Sequence, residues 1–358
     1  MVAKKRSSAK HKRTSHKGIL SVFAMSLVLL VLLWIALKYY NKIWRSNVIA
    51  KDGFVEVFIP SDPTYEEVYA LLDFSGALVS MDDFDWVVHR KGVENRFKGG
   101  RYLLSNGMNN NEIINMFRAG HQSPVRVTFN NIRTVEELAG QLGNRLEPDS
   151  IEFLLTFKND SLLSSYNVSE GSLFGHILPN TYEMWWTTTP EGFLQRMFRE
   201  YEIFWNNERI AKADTIGLTP FEVLVLASIV DEETVKADEK ARVAGLYLNR
   251  LQKGIRLQAD PTIKYAMNDF SVKRVLSKDL LIDSPYNTYI YAGLPPGPIR
   301  MPSIQGVEAV LNFEKHNYLY MCAKEDFSGY HSFARTLQQH NQNAARYRAA
   351  LHKLKIYR

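Results

Sequence analysis

The longest apolar run in the chain lies near its N-terminus. Residues 18–37 contain no charged side chain and are almost entirely apolar. A helix of about twenty such residues spans the ~30 Å hydrocarbon core of a bilayer. A cleaved signal peptide has a shorter apolar region followed by a small-residue cleavage site, and neither feature is present. The pattern therefore predicts a single transmembrane helix over residues 18–40.

Alternating and helical patterns then occur twice in the same order. A strand-like alternation at residues 55–59 precedes a helix with a capping box at residues 64–67. The same order returns at residues 125–129 and 134–137, and each copy predicts a small β-α-α-β-α unit. The whole chain is therefore predicted to be α+β. We expect a small membrane-proximal module over residues 41–123 and a larger mixed α+β domain over residues 124–358.

A helix that is apolar on nearly every side is predicted over residues 221–230, and it should be buried. It runs directly into Asp231, Glu232 and Glu233. Burial and the negative end of a helix both favour a protonated carboxyl group, so an acid here can be a general acid near neutral pH. Glu233 lies on the most apolar stripe and should point into the core. Asp231 and Glu232 are expected to reach solvent or to cap the next helix, residues 237–251.

Loop segments after these helices carry side chains suited to binding sugars. Glycan sites hydrogen-bond hydroxyl and acetamido groups and stack sugar faces on aromatic rings. Four loop residues fit that role, namely Gln258, Asp260, Asn287 and Tyr289. Arg250, near the end of the helix 237–251, is either a further substrate contact or half of a structural ion pair with a helix acid.

The charge distribution supports a membrane anchor. Seven of the 44 Lys and Arg residues lie in residues 1–17, which contain no acid, and the other 37 face 38 acids. By the positive-inside rule this basic tail is cytoplasmic, and the chain beyond the apolar run is periplasmic or otherwise extracytoplasmic. The positive excess belongs to the tail, so it does not indicate nucleic-acid binding. Cys322 is the only cysteine and is predicted to be a core strand residue, so no intramolecular disulfide forms.

Five ordered motifs resemble the membrane-anchored endolytic murein transglycosylases of the YceG-like family. They are A-S-I-V-D-E-E-T at 227–234, N-R-L at 249–251, L-Q-A-D-P-T at 257–262, Y-N-T-Y at 286–289 and G-L-P-P-G-P-I at 293–299. Many members of the family carry Glu where this chain has Asp231. The resemblance therefore implies that Glu233 is the catalytic acid. Ser228, in the first motif, joins the predicted substrate-binding residues.

Weaker matches extend the resemblance over the rest of the chain. In this family the segment corresponding to residues 41–123 is a LysM-like glycan-binding module, with a spacer role as the alternative here. E-G-S-L-F at 170–174 and L-P-N-T-Y-E at 178–183 resemble a family segment, so Glu170 and Tyr182 are predicted to line the cleft. Capping and core roles are the alternatives for these two residues. G-Y-H-S-F at 329–333 adds His331 as a cleft residue.

The resemblance implies a reaction that needs one carboxyl group and no cofactor. Such an enzyme cleaves the MurNAc-β-1,4-GlcNAc bond inside nascent peptidoglycan strands, leaves 1,6-anhydroMurNAc ends and terminates elongation. No cluster of His, Cys and carboxylates in the sequence has metal-ligand spacing. The implied partners are glycan strands, the cytoplasmic membrane and cell-wall synthases. Two alternatives remain, a muramidase-like hydrolase pairing Glu233 with Asp260 or Asp231, and a non-catalytic anchored cell-wall-binding scaffold.

Overall fold

A long apolar helix begins the computed structural model, which describes residues 16–272 and 274–354. Helix α1 spans His16–Trp44, a few residues longer at each end than predicted. Its segment Leu20–Trp44 is long and apolar enough to cross a membrane, and its most apolar stretch of 18 residues is not buried inside the structure. Of the predicted basic tail, residues 1–15 lie outside the described residues.

The chain divides into two compact units between Ser123 and Pro124. After α1, the first unit has strand β1 antiparallel to β2, with Ile59 opposite Gly100. Its elements follow the predicted order: β1 (Phe54–Ile59), α2 (Tyr65–Ser75), α3 (Met81–Lys91), a 3-10 helix (Glu94–Arg96), β2 (Gly100–Ser105) and α4 (Asn110–Ala119). The predicted capping box forms, because Glu67 N donates to Thr64 Oγ1 and Thr64 N donates to Glu67 Oε2.

The second unit opens with a similar arrangement that carries one additional helix. Strand β3 pairs antiparallel with β4, with Val125 opposite Met184. The elements are β3 (Val125–Phe129), α5 (Val135–Gly143), α6 (Ser150–Phe157), α7 (Asp160–Ser165), a 3-10 helix (Glu170–Gly175), β4 (Asn180–Met184) and α8 (Pro190–Phe204). The two copies thus share an order of elements that their sequence echo predicted.

Helix α10 is the centre of the remaining part of the second unit. Every residue from Val223 to Asp231 is buried, and α10 packs against α9, α11, α12 and α13. The elements are α9 (Asn207–Ile216), α10 (Pro220–Glu233), α11 (Ala237–Gln252), α12 (Asp260–Ala266), a 3-10 helix (Asp279–Leu281), α13 (Ile304–Leu311), β5 (Tyr320–Ala323), β6 (His331–Ala334) and α14 (Leu337–Lys353). The fold is therefore mixed α+β with one N-terminal apolar helix, as predicted.

The end of α10 differs from the prediction at Asp231. Its carboxylate is buried and accepts hydrogen bonds from Lys240 Nζ at 2.6 Å, Ser303 Oγ at 2.8 Å and Ser303 N at 2.6 Å. The expectation that Asp231 reaches solvent is wrong, because α11 and the start of α13 supply a cation and two donors. A carboxylate with such partners can be held away from water.

Glu232 is also drawn into the structure instead of pointing freely to solvent. Its Oε1 atom accepts from Arg133 at 2.7 Å and from Arg300 at 2.8 Å. These two arginines lie in the loops after β3 and before α13. The last turn of α10 is therefore tied to three other parts of the second unit, which fixes the backbone that carries Glu233.

Candidate active site

A cavity of about 500 Å³ opens beside the C-terminal end of α10. Its walls come from α11, the loop between α11 and α12, the loop before the 293–299 segment, and the β5–β6 hairpin. Six of the predicted site residues line it, namely Glu233, Arg250, Gln258, Asp260, Tyr289 and His331. The structure therefore brings together residues that lie up to about a hundred positions apart in the sequence.

Glu233 is the acid of this cavity whose environment most favours its neutral form. Its Oε1 accepts a hydrogen bond from Tyr247 Oη at 2.7 Å. Burial raises the pKa of Glu233 to about 7, the Tyr247 hydrogen bond opposes that rise, and the negative charge of Asp260 adds to it. A group with this pKa is present as both acid and carboxylate at neutral pH, so it can donate a proton and later accept one.

Tyr247 is a site residue that the sequence reasoning missed. It lies on α11 three residues before Arg250, so both side chains lie on the same face of the helix. Burial raises the pKa of the Tyr247 hydroxyl well above its usual value, and the nearby Glu233 adds to that rise. Tyr247 therefore remains a hydrogen-bond donor to Glu233. Helical spacing from Arg250 is the signal that could have identified it.

Arg250 is buried against the cavity wall and is bound to the protein in three directions. Its Nε donates to Arg256 O at 2.8 Å, one terminal nitrogen donates to Leu319 O at 2.8 Å, and the other donates to Gln258 Oε1. Within the described residues it forms no ion pair with a carboxylate, so the alternative of a structural ion pair is wrong. Arg250 fixes the side chain of Gln258, and it lines the cavity itself.

Gln258 has a backbone conformation that side-chain-bearing residues rarely adopt. Its φ is 53°, in the left-handed region, and its N–H donates to Thr288 O at 3.1 Å. Such strain persists only where surrounding contacts impose it, and it is concentrated at functional sites. The strained turn directs the Gln258 amide to the cavity wall beside Arg250.

Asp260 and Tyr289 form a second hydrogen-bonded pair on the wall. Tyr289 Oη donates to Asp260 Oδ1 at 2.5 Å, and Asp260 is the first residue of α12. Burial and the bond to Asp260 raise the pKa of Tyr289, so the phenol stays protonated and continues to donate. The pair supplies a carboxylate and an aromatic ring to the same cavity as Glu233.

His331 is oriented by a buried acid behind it. Its Nδ1 lies 2.8 Å from Glu239 Oε2, and its backbone N donates to Glu239 Oε1 at 2.8 Å. Thr234 Oγ1, next to Glu233, donates to the same Oε2 atom at 3.0 Å. A carboxylate only accepts, so Nδ1 carries the proton and Nε2 remains for the cavity. Glu239 is thus a further residue that the sequence reasoning missed.

His340 is the second histidine of the cavity wall, and it was not among the predicted site residues. Its Nδ1 is buried and has no hydrogen-bond partner in the part of the chain that the structure describes. Buried polar atoms without partners are uncommon in native proteins. Cys322 also lines the cavity and is half-buried in β5, so it is a strand residue but not a core one.

Two predicted residues, Ser228 and Asn287, shape the loops of the site without lining the cavity. Ser228 is fully buried, donating to Val225 O at 2.7 Å and accepting from Ile299 N at 3.1 Å. Asn287 is fully buried too, and its side-chain amide donates to two loop carbonyls. Both predictions of substrate contact are wrong, because the local backbone uses their polar groups.

Glu170 and Tyr182 also lie outside the cavity wall. Tyr182 is a core residue whose hydroxyl donates to Leu178 O at 2.7 Å and whose ring stacks on Phe129. Glu170 is exposed and opens the 3-10 helix Glu170–Gly175. The core alternative holds for Tyr182, and its prediction as a cleft residue is wrong. Glu170 neither caps the 3-10 helix, whose N-cap is Ser169, nor belongs to the core, so its role in a cleft stays a prediction.

Comparisons with known proteins give a consistent picture over most of the chain. A family model described as the YceG-like family matches residues 57–346. The endolytic murein transglycosylase of Bacillus subtilis is 28% identical over 312 residues, covering 82% of this chain and 84% of that protein. The protein of the same name from Streptococcus pneumoniae R6 is 27% identical over 326 residues, and this match covers 82% of this chain but 58% of that protein.

A solved structure is similar as well. The crystal structure of a YceG-like protein from Listeria monocytogenes has a TM-score of 0.54 and 25% identity, covering 82% of this chain and 99% of that one. The family match begins within β1 and ends within α14, and it includes every residue of the cavity wall. The chain therefore belongs to the YceG-like family.

Proposed function

We propose that this chain is an endolytic murein transglycosylase in which Glu233 is the general acid and then the general base. The observation that carries this proposal is a carboxyl group on a cavity wall with a pKa of about 7 and a tyrosine hydroxyl as its partner. The relatives from Bacillus subtilis and Streptococcus pneumoniae bear that name, which supports the same substrate class, peptidoglycan.

The first step breaks the glycosidic bond. Protonated Glu233 donates its proton to the oxygen between MurNAc C1 and GlcNAc C4 as the C1–O bond breaks, and the GlcNAc end leaves as an alcohol. Positive charge develops at C1 in the transition state. The carboxylate of Asp260, on the same wall, stabilises that charge electrostatically. Tyr247 stabilises the new Glu233 carboxylate through its hydrogen bond.

The second step closes the anhydro ring. The Glu233 carboxylate accepts the proton of the MurNAc C6 hydroxyl as that oxygen attacks C1. The new C–O bond gives a 1,6-anhydroMurNAc end, and Glu233 returns to its protonated form without consuming water. Gln258, Tyr289, Arg250 and His331 are the wall residues that we propose bind the sugars.

Product analysis tests the reaction and the residue together. Wild type acting on uncrosslinked glycan strands should release 1,6-anhydro ends detectable by mass spectrometry. Glu233→Gln should lower the rate by ~10²–10⁴-fold, the usual contribution of general acid–base catalysis. Glu202→Gln, an exposed acid on α8, is the matched control and should keep the wild-type rate.

Asp260 makes a hydrolase the second candidate, because it places another carboxylate in the same cavity. A hydrolase would leave reducing MurNAc ends that incorporate oxygen from labelled water, and that result would replace the transglycosylase assignment. Release of no product by folded wild type would instead favour a wall-binding scaffold.

We also propose a position for the chain in the cell. Helix α1 would be a single-pass anchor in the cytoplasmic membrane, with a cytoplasmic N-terminus and an extracytoplasmic catalytic domain over residues 124–358. The unit before it, residues 41–123, would be a LysM-like module that binds glycan. Cell-wall synthases are the proposed partners, because trimming nascent strands brings the enzyme close to the polymerase.

A further inference from the structure

Helix α1 packs directly against α3 within the first unit. Three contacts join the end of α1 and the residues just after it to α3 and its N-cap, namely Asn47 with Ser80, Lys42 with Asp83, and Tyr39 with Trp86. The asparagine amide exchanges hydrogen bonds of 2.9 and 2.8 Å with the Ser80 backbone. The ion pair measures 2.9 Å, and the two rings stack with their centroids 5.1 Å apart. These contacts fix the orientation of α3 relative to α1.

The order of the contacts shows which end of α3 lies nearer the apolar run. On the α1 side the residue numbers fall from 47 to 39, whereas on the α3 side they rise from 80 to 86, so the two helices are antiparallel. The C-terminal end of α3 is therefore directed toward the uncharged residues 18–37. From Trp86 to Lys91 the helix advances about 7 Å. The headgroup layer of a bilayer is about as thick, so the last turn of α3 lies at headgroup level when α1 spans the membrane.

This end of α3 is basic. Its last turn contains His89, Arg90 and Lys91. Burial lowers the pKa of Lys91, and the charge of Arg118 on α4 lowers it further, so the two cations lie close together. The Lys91 Nζ atom donates only to neutral partners, two asparagine side chains of α4. Residues 89–91 and Arg118 are called the basic end of α3 below.

The positive charge of the basic end is only partly compensated by nearby acids. Asp85 and Glu94 both contact His89, at 3.2 and 4.0 Å. Arg90 and Arg118 are exposed, and neither forms a hydrogen bond or an ion pair with any residue in 16–272 or 274–354. The helix dipole favours basic residues at the C-terminal end of any helix. Here that end also faces the bilayer, which leaves two guanidinium groups available to the lipid surface.

From this arrangement we propose that the basic end of α3 docks the first unit on anionic phospholipid headgroups. Arg90 and Arg118 bind lipid phosphate oxygens, which the guanidinium group can contact through two parallel hydrogen bonds. The stacked rings of Tyr39 and Trp86 lie at the same interface, where aromatic side chains are enriched in membrane proteins. The proposal rests on the proposed role of α1 as a membrane anchor and is independent of the Glu233 reaction.

Spin labels at the two ends of α3 test the geometry. Asp82→Cys and His89→Cys, each in a Cys322→Ala background, place labels at exposed positions seven residues apart. Seven residues are nearly two turns, so the labels lie on one side of α3 and about 10 Å apart along its axis. The full chain is reconstituted in vesicles of equal parts phosphatidylcholine and phosphatidylglycerol. Power-saturation EPR should show the label at position 89 shielded from a water-soluble nickel chelate and the label at position 82 accessible to it. Equal accessibility of the two labels would overturn the docking.

Lipid titration tests the chemistry. Native mass spectrometry of the full chain in detergent micelles should show tighter binding of phosphatidylglycerol than of phosphatidylcholine. A basic residue at a membrane surface contributes about fivefold, so Arg90→Gln combined with Arg118→Gln should weaken phosphatidylglycerol binding roughly 25-fold and leave phosphatidylcholine binding unchanged. Lys51→Gln combined with Arg348→Gln is the matched control, because it removes the same charge at exposed positions outside the basic end. An equal loss in both double variants, or equal affinity of the wild type for the two lipids, would overturn the proposal.

A soluble competitor separates a lipid surface from a phosphate site. Glycerol phosphate carries the same anionic group without acyl chains, and it should not displace phosphatidylglycerol from the wild type. Displacement would replace the lipid surface by a site for free phosphate.

Two further measurements distinguish this proposal from the proposed function. An alkaline carbonate wash tests the anchor, and release of the chain from vesicles would overturn both the anchor and the docking. A retained chain with an accessible label at position 89 would overturn the docking alone. The basic end does not line the Glu233 cavity, so Arg90→Gln combined with Arg118→Gln should keep the wild-type rate of anhydro-end release from soluble glycan fragments. An absence of anhydro ends in wild type would overturn the reaction and leave the docking intact.

Discussion

Burial and the Tyr247 hydrogen bond have opposite effects on the pKa of Glu233, and a substitution can remove the hydrogen bond. Burial raises the pKa of Glu233 to about 7, while the Tyr247 hydrogen bond favours the carboxylate and lowers it. Wild-type activity should fall as pH rises through about 7, because the acid form is lost. Tyr247→Phe should raise the pKa further and move that fall to higher pH. Initial rates of anhydro-end release from pH 5 to 9 measure the shift.

Tyr182→Phe is the matched control for this change. It also removes a buried tyrosine hydroxyl, which donates to Leu178 O in a different part of the core. It should change thermal stability but not the pH profile of activity. A Tyr247→Phe profile that overlays the wild type, or moves to lower pH, would contradict the assigned role of this hydrogen bond.

His331 is expected to act in binding, with Glu239 as its positioning residue. His331→Ala removes one ring contact to the substrate and should raise KM roughly tenfold, as expected for one hydrogen bond, with kcat little changed. Glu239→Gln should also raise KM. The two Glu239 oxygens each accept a hydrogen bond from one nitrogen of His331, and in glutamine one of these oxygens is replaced by an NH2 group, which cannot accept. Steady-state kinetics on glycan strands separates KM from kcat.

A nearby exposed hydrogen bond gives the control for that pair. Tyr330→Phe removes a hydroxyl that donates to Asp238, one residue before Glu239, and should leave KM unchanged. Thermal unfolding distinguishes structure from binding, since Glu239→Gln should lower the unfolding temperature and His331→Ala should not. If both variants lowered kcat and left KM unchanged, His331 would belong to the chemical step instead.

At the scale of elements, the Asp231–Lys240 pair connects α10 to α11 within three residues of Glu233. The two charged atoms are 2.6 Å apart, and the side chains are 2% and 9% exposed. Asp231→Asn leaves the Lys240 charge buried without a partner, which costs about 3–5 kcal/mol of unfolding free energy. Urea denaturation should show this loss. The folded fraction should retain activity, because Asp231 does not line the cavity.

Two further variants test whether the loss of stability comes from the buried ion pair or from removing a charge in general. Asp231→Asn combined with Lys240→Met removes both charges and should recover part of the lost stability. Glu208→Gln breaks an exposed pair with Lys212 on α9 and should have no measurable effect on stability. An inactive but fully stable Asp231→Asn protein would make Asp231, not Glu233, the catalytic acid.

The elements that sequence predicts well are those whose signal is local. The continuous apolar run of α10 and the helical stripe that points Glu233 inward are both properties of about fourteen neighbouring residues. Local alternation of apolar and polar residues, together with capping residues, also predicts the repeated β-α-α-β-α order. Local pattern was therefore enough to predict the central helix and to make Glu233 a candidate acid.

The predictions that failed depend on partners distant in sequence. Asp231 looked solvent-exposed because Lys240 and Ser303, which make its burial possible, belong to other elements. Ser228 and Asn287 have polar side chains in motif loops, and composition cannot show whether such a side chain faces the ligand or bonds the backbone. Tyr247 was missed because its importance comes from the hydrogen bond to Glu233. Tertiary contacts decided each of these cases.

At the scale of the whole molecule, the charge pattern and α1 together predict an orientation. Seven basic residues precede the apolar run at residues 18–37, whereas the rest of the chain has nearly equal numbers of each charge. Translocating the basic end across the membrane is unfavourable, so the N-terminus should stay in the cytoplasm. The substrate that we propose, nascent peptidoglycan, lies on the opposite side. Both arguments predict that the Glu233 cavity lies outside the cytoplasm.

Because Cys322 is the only cysteine, this orientation can be measured by labelling single introduced cysteines in a Cys322→Ala background. Ser277→Cys lies at an exposed position of the second unit, and Ser8→Cys lies in the basic tail. In intact spheroplasts, a membrane-impermeant maleimide should label Ser277→Cys at once and Ser8→Cys only after lysis. Labelling of Ser8→Cys before lysis, with Ser277→Cys protected, would reverse the orientation and separate the cavity from its proposed substrate. Labelling of both before lysis would mean that α1 does not cross the membrane.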